Sequence, residues 1–184
     1  MAPPITDGRS PIGAQRAAVV AAARAWIGTP YHHAADVRGC KGGVDCAMLL
    51  VRVYVDLGLV EPFDPRPYTR DWMLHRSEEK YLGFLLDRAR IVEAPGLGDV
   101  ILFRIGRCFA HGGVVSKAEP LTMIHAHAQA GFVVEDEVLR CPLAARPRMF
   151  ASYWPASGVA PHPSPLPASG ERGRSDHRSP VTGH

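Results

Sequence analysis

The spacing of apolar side chains changes partway along the 184-residue chain, and this change constrains the fold more than any other feature. Near the N-terminus, apolar residues recur at helical spacing within residues 10–27 and 45–57. Beyond residue 98, short segments rich in β-branched or aromatic residues follow one another, at 99–104, 110–117, 121–128, 131–138 and 146–153. Helices followed by consecutive strands predict an α+β fold, in which N-terminal helices pack on a mostly antiparallel sheet of about five to six strands.

Capping residues and chain breakers predict where the helices begin and end. Ser10-Pro11 predicts an N-cap followed by proline at the first helical position, and Gly28 with Pro30 predicts the end of that helix. A second helix is predicted to begin near Asp45 and to stop at Gly58. The remaining N-terminal segments are predicted as a loop (28–44), an extended connection (59–70) and one or two further helices (71–90).

Composition divides the chain into three parts. Residues 1–9 are predicted to be a flexible lead-in, and residues 10–154 to form the folded domain. From residue 155 the sequence is dominated by Pro, Ser, Gly, Arg and His, with almost no large apolar side chains. Such a segment cannot bury enough apolar surface to offset its ordering entropy, so residues 155–184 are predicted to be a disordered tail.

The charge balance and the N-terminal residues argue against several classes of protein. The chain has 21 Lys and Arg against 18 Asp and Glu, and no basic run is interleaved with aromatics, so we expect no nucleic-acid partner. Residues 1–9 lack the basic-then-apolar pattern of a secretory signal. The apolar stretch 17–23 is far shorter than the roughly 20 residues that span a bilayer. We therefore expect a protein made in the cytoplasm without a signal peptide and without membrane insertion.

Four cysteines, Cys40, Cys46, Cys108 and Cys141, are expected to be reduced thiols, because no signal peptide leads the chain to an oxidising compartment. A zinc module built from the first three cysteines and His111 is one alternative, since Cys108 and His111 have half-site spacing. No CxxC pair occurs, however, and the spacing from Cys40 to Cys46 is unusual for structural zinc. We therefore predict no metal and no organic cofactor, and we assign Cys141 to packing.

Cys46 is the strongest candidate for a nucleophile. It follows the glycine-rich segment 42–45 and stands at the start of a predicted helix. Backbone N–H groups and the helix dipole at such a position favour a thiolate, and the same N–H groups can stabilise an oxyanion. The alternative is that Cys46 is a small buried hydrophobe. The glycines weaken that alternative, because a nucleophile needs open backbone around it.

The histidines supply candidates for a general base and for a group that orients it. His111 lies in a predicted strand, and two glycines after it leave room for a substrate backbone. His125 and His127 lie on one face of the next strand, so His125 becomes a cross-strand neighbour of His111 if the two strands pair antiparallel. That arrangement gives a base and its orienting group, with His127 as a weaker candidate for the second role. His32 and His33 are expected to be solvated loop residues.

Five sequence motifs together carry a family resemblance. In chain order they are Gly28-Thr29-Pro30-Tyr31, Gly43-Val44-Asp45-Cys46, Gly98-Asp99-Val100-Ile101-Leu102-Phe103, His111-Gly112-Gly113-Val114-Val115 and Ile124-His125-Ala126. This set resembles the NlpC/p-sixty superfamily of papain-like cell-wall cysteine peptidases, over about residues 14–154. The variant that the chain resembles most is the compact type found in phage tails, prophages and gene transfer agents.

The resemblance implies a role for five residues. Cys46 would attack the peptide carbonyl, His111 would take and return the proton, and His125 would orient His111. Tyr31 and Asp45 match positions that shape the substrate pocket. The implied partner is a peptidoglycan stem peptide, cleaved between γ-D-glutamate and a diamino acid. Tail-tip proteins of a phage or gene transfer agent are further implied partners, with the protein carried in a phage-like particle or released on lysis.

The residues after the nucleophile depart from the family pattern. The family has a small residue and then glycine there, whereas this chain has Ala47-Met48. We expect Met48 to point away from the cleft, so that catalysis survives. A second hypothesis is a catalytically degenerate domain that serves as a structural component of a phage-tail-like particle.

Overall fold

The computed structural model describes residues 10–69 and 80–155 of the chain. The predicted lead-in (1–9), the predicted tail from residue 156 and the first part of the predicted helical stretch 71–90 lie outside the described residues. Among the described residues, no helix has the length and the apolar character needed to span a bilayer. The α+β prediction is confirmed, because helices precede a six-stranded sheet.

Three helices are described, and the first two lie close to their predicted positions. They are α1 (Ile12–Arg24), α2 (Cys46–Asp56) and α3 (Lys80–Leu86). The predicted Ser10 cap is wrong, because Pro11 itself occupies the N-cap position with ψ 142° and no side chain caps the helix. Gly28 lies in the turns after α1 and has φ +83°, and Gly58 follows α2 with φ +68°, which glycine adopts without a steric cost.

Six antiparallel strands form the main sheet in the order β3-β8-β4-β5-β6-β7. Their bounds are β3 (Arg90–Val92), β4 (Val100–Ile105), β5 (Cys108–Lys117), β6 (Thr122–His127), β7 (Phe132–Glu137) and β8 (Arg148–Ser152). The five predicted strands are all present. Strand β3 was not predicted, because its three residues are too few to show the alternation of a strand. The two-residue strands β1 (Asp36–Val37) and β2 (Gly43–Val44), which pair within the predicted loop, were not predicted either.

Both faces of the sheet are covered, and consecutive residues of the central strands β4 and β6 are therefore buried. On one face, strand residues such as Val114 and Ile124 pack with α1 and α2 in the main core. On the other face, Phe103, Met123 and Cys141 belong to a smaller core that the 3-10 turn Val138–Arg140 helps to close. Cys141 is buried there, as predicted. Because successive strand residues point to opposite faces, His125 and His127 share the face of Met123.

The buried carboxylate of Asp99 ties α1 to the sheet. Its Oδ1 accepts a hydrogen bond from Arg16 at 2.9 Å, and its Oδ2 accepts one from the Gly96 N–H at 2.7 Å. The Arg16 guanidinium also stacks on the Trp154 ring, 4.2 Å from the ring centroid. Asp99 therefore serves the fold rather than the chemistry.

Substitution of Asp99 by alanine is expected to lower the free energy of unfolding by about 3–5 kcal/mol, because it leaves the Arg16 charge without its buried partner. The matched control is Asp56→Ala, which removes an exposed i,i+4 pair with Arg52 and should cost no more than ~0.5 kcal/mol. Urea unfolding of both variants measures the difference. Equal losses of stability would show that the Asp99 pair does not hold α1 to the sheet.

Candidate active site

The glycine-rich segment before Cys46 allows two parts of the chain to approach each other closely. A Cβ on Gly42 would overlap the Val37 carbonyl, and one on Gly43 would lie 2.6 Å from the His32 Cβ. The prediction that these glycines keep the backbone open around a nucleophile is therefore wrong. They are needed because β1, β2 and the turn between them pack against their own backbone.

Helix α2 begins at Cys46, with Asp45 as its N-cap, in agreement with the predicted start. Asp45 Oδ1 accepts a hydrogen bond from the Met48 N–H at 2.9 Å, which fixes the first turn. The Met48 side chain is buried in the main core. This agrees with the expectation that it points away from the cleft. Ala47 lines a mainly apolar pocket between α2 and α3, together with residues such as Leu50 and Phe84.

The thiol of Cys46 lies against strand β5 on both sides of His111. Its Sγ is 3.9 Å from the Ala110 carbonyl oxygen, and the Gly112 N–H donates a hydrogen bond to the sulfur. The register pairs between β5 and β6 begin only at Val114, beyond this contact. The start of α2 therefore reaches the backbone of β5 at the residues that flank the candidate base.

A chain of hydrogen bonds runs from His111 to a carboxylate. His111 Nε2 lies 2.8 Å from His125 Nδ1, and His125 Nε2 lies 3.2 Å from Asp136 Oδ2. The two imidazole rings meet edge to face, at an interplanar angle of 85°. The predicted neighbourhood of His111 and His125 on antiparallel strands is thus present, and Asp136 on β7 extends it.

The available acceptors fix the direction of the protons in this chain. A carboxylate only accepts, so His125 must donate from its Nε2–H to Asp136. A neutral His125 then has its lone pair on Nδ1, and His111 must donate to it from Nε2–H. The remaining lone pair of His111 is consequently on Nδ1. His111 therefore has an unprotonated nitrogen available for a proton that comes from outside the chain.

Gly113 makes the close approach of the two histidines possible. The register pair Val114 with Ile124 places Gly113 opposite His125 when it is continued by one residue. A Cβ on Gly113 would lie 3.0 Å from the His125 Cβ and 2.9 Å from the Ile124 carbonyl oxygen. This glycine was predicted to leave room for a substrate, whereas the structure uses the space for the side chain of His125.

His127 lies on the predicted face beside His125, whereas His33 is not the solvated loop residue that was expected. The His127 ring stacks on His125, with centroids 5.1 Å apart, but the hydrogen bond to His111 is made by His125. His33 was expected to be solvated, yet its Nε2 lies 2.9 Å from the Tyr68 carbonyl oxygen and its Nδ1 lies 3.4 Å from Asp45. His33 therefore packs against Tyr68 and against Asp45, the residue that precedes the Cys46 thiol.

Burial opposes the predicted thiolate. Removal from water and, to a smaller extent, the nearby Asp45 carboxylate together raise the pKa of the Cys46 thiol to about 12. The N–H groups of Cys46, Ala47 and Gly112 lower the pKa, as predicted for a helix start, but their effect is smaller than that of burial. In the unliganded protein the sulfur therefore carries its proton at neutral pH, and the prediction of a preformed thiolate is wrong.

Burial also keeps the histidines neutral. Burial, with smaller effects from the neighbouring His125 and His127, lowers the pKa of His111 to about 3. Burial lowers the pKa of His125 as well, against the opposing effect of the hydrogen bond to Asp136. A neutral imidazole is the form that can accept a proton. The ionisation states thus agree with the tautomers that the hydrogen bonds require.

Asp45 is buried and already surrounded by donors. Its carboxylate accepts hydrogen bonds from the Ala34 N–H at 2.7 Å and from the Tyr68 hydroxyl at 2.8 Å, besides the bond from the helix. Tyr31, the other predicted substrate-binding residue, is half-buried and pairs with Val44 in an isolated bridge. Asp45 therefore directly precedes Cys46, and Tyr31 pairs with the residue two positions before Cys46.

Sequence analysis missed Asp136 and Tyr68 as members of this region. The pairing of β6 with β7 places Asp136 opposite Met123, and therefore on the face of His125. That pairing was predictable from two consecutive strands, but the register that selects Asp136 was not. Tyr68 lies in the extended connection after α2, and no pattern in that segment indicates that its hydroxyl reaches Asp45.

The structure brings together a different set of metal-ligating residues from the one considered in the sequence. Cys40, Cys46 and Cys108 form no disulfide, and within the described ranges they do not join His111 in a group of potential ligands. Among the described residues, the one such group consists of His125, His127 and Asp136, whose ligand atoms all lie within 4.8 Å of one another. Its members surround the far end of the hydrogen-bonded chain.

No protein-family model matches the sequence, and no curated protein sequence matches it either. Solved structures do match the fold. The NlpC/p60 domain of the peptidoglycan hydrolase SagA has a TM-score of 0.50 and 22% identity, over 74% of this chain and 96% of that one. NlpC1 from Trichomonas vaginalis has a TM-score of 0.56 and 17% identity, over 77% of this chain and 45% of its own.

The peptidoglycan hydrolase RipB from Mycobacterium tuberculosis is also similar, with a TM-score of 0.53 and 20% identity, over 85% of this chain and 74% of that one. At these identities the likeness establishes the fold alone. The chain therefore has the fold of NlpC/p60 domains, with helices followed by an antiparallel sheet.

Proposed function

We propose that this protein is a cysteine peptidase of the NlpC/p60 (NlpC/p-sixty) superfamily that cleaves peptidoglycan stem peptides. The observation that carries the proposal is the chain of hydrogen bonds from His111 through His125 to Asp136, beside the thiol of Cys46. Two proteins that share the fold are described as peptidoglycan hydrolases, which supports the same class of substrate here.

In the first half of the reaction the Cys46 sulfur attacks the scissile carbonyl carbon while His111 Nδ1 takes the thiol proton. The attack is concerted with this transfer, because the thiol is neutral before substrate binds. The imidazolium that forms on His111 is stabilised through His125 by the Asp136 carboxylate. Collapse of the tetrahedral intermediate breaks the C–N bond. His111 returns the proton to the leaving amine, and a thioester remains on Cys46.

In the second half a water molecule attacks the thioester, and His111 takes a proton from that water. The sulfur leaves, regains the proton, and the carboxylate product is released. N–H groups at the start of α2 surround the sulfur, so they are suitably placed to stabilise the oxyanion in both halves. The reaction needs no redox step and no group beyond the side chains named.

The scissile bond is proposed to lie between γ-D-glutamate and a diamino acid, as in the family that the motifs resemble. Tyr31 and Asp45 are proposed to shape the pocket beside the nucleophile. Because protein donors already surround the Asp45 carboxylate, a substrate amine would have to displace the Tyr68 hydroxyl to reach it. The Tyr68 hydroxyl is therefore proposed to control access of the substrate amine to the Asp45 carboxylate.

The biological setting is proposed from the motif resemblance to compact phage-tail and gene-transfer-agent enzymes. In that setting the protein would reach the cell wall inside a tail-like particle or on lysis. One observation favours the second candidate function, a degenerate structural component of such a particle: burial raises the pKa of the Cys46 thiol instead of lowering it.

Incubation of the purified protein with a defined muropeptide, followed by mass spectrometry of the products, tests the proposed function. The expected result is two fragments whose masses add up to the substrate plus one water, with the cut after γ-D-glutamate. Cleavage at another amide bond would keep the mechanism and change the specificity. An intact muropeptide after prolonged incubation with well-folded protein would favour the structural component.

Replacement of Gly113 by alanine is expected to lower kcat/KM by about 100-fold, because the new Cβ pushes His125 away from His111. Thermal unfolding should show a loss of stability of about 1–3 kcal/mol, the usual cost of an overpacked contact. Gly13→Ala is the matched control, since its Cβ meets nothing within 4 Å on α1. Parallel losses of activity and stability in Gly113→Ala would mean that the glycine serves folding alone.

A further inference from the structure

We propose that His125, His127 and Asp136 bind one Zn²⁺ ion, and that this binding switches off the base at Cys46. The ligand atoms of the three side chains lie within 4.8 Å of one another. Two imidazoles and a carboxylate are ligands that Zn²⁺ accepts, and three protein ligands leave a fourth position for water. The metal site itself does not depend on the proposed function, whereas its inhibitory effect does.

The three side chains need only a small movement to close on the metal. Tetrahedral Zn²⁺ with bonds of about 2.0–2.1 Å separates its ligand atoms by roughly 3.3 Å. The His125 Nε2 to Asp136 Oδ2 distance is already 3.2 Å. The third ligand atom, on His127, lies no more than 4.8 Å from either of them, so it must approach by at most about 1.5 Å.

The site is open to solvent on one side and anchored on the other. His125 is fully buried and held by two hydrogen bonds, so its position is fixed. The Asp136 side chain is 35% exposed, and His127 is partly exposed, which gives an ion a path from the surface. The rings of His125 and His127 are nearly parallel, at 24°. Because an imidazole binds a metal in its own ring plane, the partly exposed His127 ring must tilt toward the ion while the buried His125 ring stays in place.

Metal binding would reverse the tautomers on which the base depends. Zn²⁺ takes the lone pair of His125 Nε2, so the proton of a neutral His125 must reside on Nδ1. That Nδ1–H then donates to His111 Nε2, which must now carry a lone pair. The proton of His111 consequently moves to Nδ1, the nitrogen that would otherwise accept the thiol proton. The number of protons on the two rings stays the same, and the base is lost.

Titration of the reduced protein with Zn²⁺, followed by calorimetry, tests the site without any reliance on activity. One equivalent is expected to bind, with affinity unchanged in Cys46→Ala and lowered more than about tenfold in His127→Gln, which removes one ligand. Mg²⁺ should not compete, because it prefers all-oxygen sites. Absence of Zn²⁺ binding would overturn the proposal. So would a site that is lost in Cys46→Ala and retained in His127→Gln, because the thiol would then be the ligand.

The tautomer reversal has its own spectroscopic signature. In ¹⁵N NMR of the Cys46→Ala protein, the protonated nitrogen of His111 is expected to move from Nε2 to Nδ1 when Zn²⁺ is added. A His111 that keeps its Nε2 proton with Zn²⁺ bound would contradict the switch. With the parent protein, Zn²⁺ is expected to inhibit muropeptide cleavage and a chelator to restore it.

Inhibition is compared with each variant's own rate in the absence of metal. His127→Gln should need more than about tenfold higher Zn²⁺ for the same fractional inhibition, in proportion to its lost affinity. Equal sensitivity of His127→Gln and the parent would overturn the inhibitory site. Stoichiometric Zn²⁺ binding by a protein that cleaves no muropeptide would support the metal site and refute the proposed function, so the two failures are distinguishable.

Discussion

Replacement of Cys46 by alanine is expected to lower the rate of muropeptide cleavage by on the order of 10⁴-fold or more. The substitution removes the atom that forms the thioester, so neither the base nor the oxyanion donors can compensate for it. The initial rate of product formation, measured by mass spectrometry, gives the loss. Retention of a substantial part of the parent rate would refute covalent catalysis at this residue.

The fold of this variant is expected to be unchanged. Cys46 occupies the first position of α2, where alanine is a strong helix former, and the contacts of its thiol are weak ones, a 3.9 Å approach to the Ala110 carbonyl oxygen and an N–H···S bond from Gly112. Thermal unfolding should therefore agree with the parent within about 1 kcal/mol. Cys40→Ala is the matched control, because Cys40 is an exposed thiol outside the candidate site. It should keep both the parent activity and the parent stability.

Cys46→Ser separates the two chemical requirements of the site. The serine hydroxyl keeps a nucleophilic atom at nearly the same place, but its proton is held much more tightly than that of a thiol. Since the thiol itself is neutral and needs His111 to take its proton, a harder deprotonation should cost nearly as much as removal of the group. A Cys46→Ser variant that keeps a cleavage rate close to that of the parent would indicate that His111 is a stronger base than its buried environment implies.

The parts of the molecule that could be predicted from sequence depend on local periodicity. The period of two in β6 predicted that His125 and His127 share a face, and the helical spacing of apolar residues after Asp45 predicted the start of α2. Both features are properties of single elements, set by backbone geometry and capping. The pairing of β4 to β7 follows the usual preference of consecutive antiparallel strands, whereas the position of β8 between β3 and β4 was not predicted.

The features that could not be predicted depend on contacts between elements distant in sequence. Whether His125 or His127 contacts His111 depends on the pairing register of β5 and β6 and on the missing side chain at Gly113. The charge state of Cys46 is decided by burial, which no local pattern reports, although the helix-start effect was identified with the correct sign. Asp136 is likewise selected by register alone.

Substitution of His125 by alanine is expected to lower kcat by about 10²–10⁴-fold, with KM little changed. Without His125, the Nε2–H of His111 has no acceptor, so the tautomer with its lone pair on Nδ1 is no longer enforced. The imidazolium that forms on His111 also loses its link to the Asp136 carboxylate. Both effects act after substrate has bound, so they reduce kcat rather than affinity.

The matched control is His127→Ala on the same strand and the same face, which removes a stacked ring but no hydrogen bond to His111. It is expected to lower kcat by less than about tenfold, since its effect on the base is only electrostatic. Steady-state kinetics of both variants therefore separates an orienting role from a packing role. If His127→Ala loses as much activity as His125→Ala, the proton order derived from the Asp136 carboxylate is not the order that the enzyme uses.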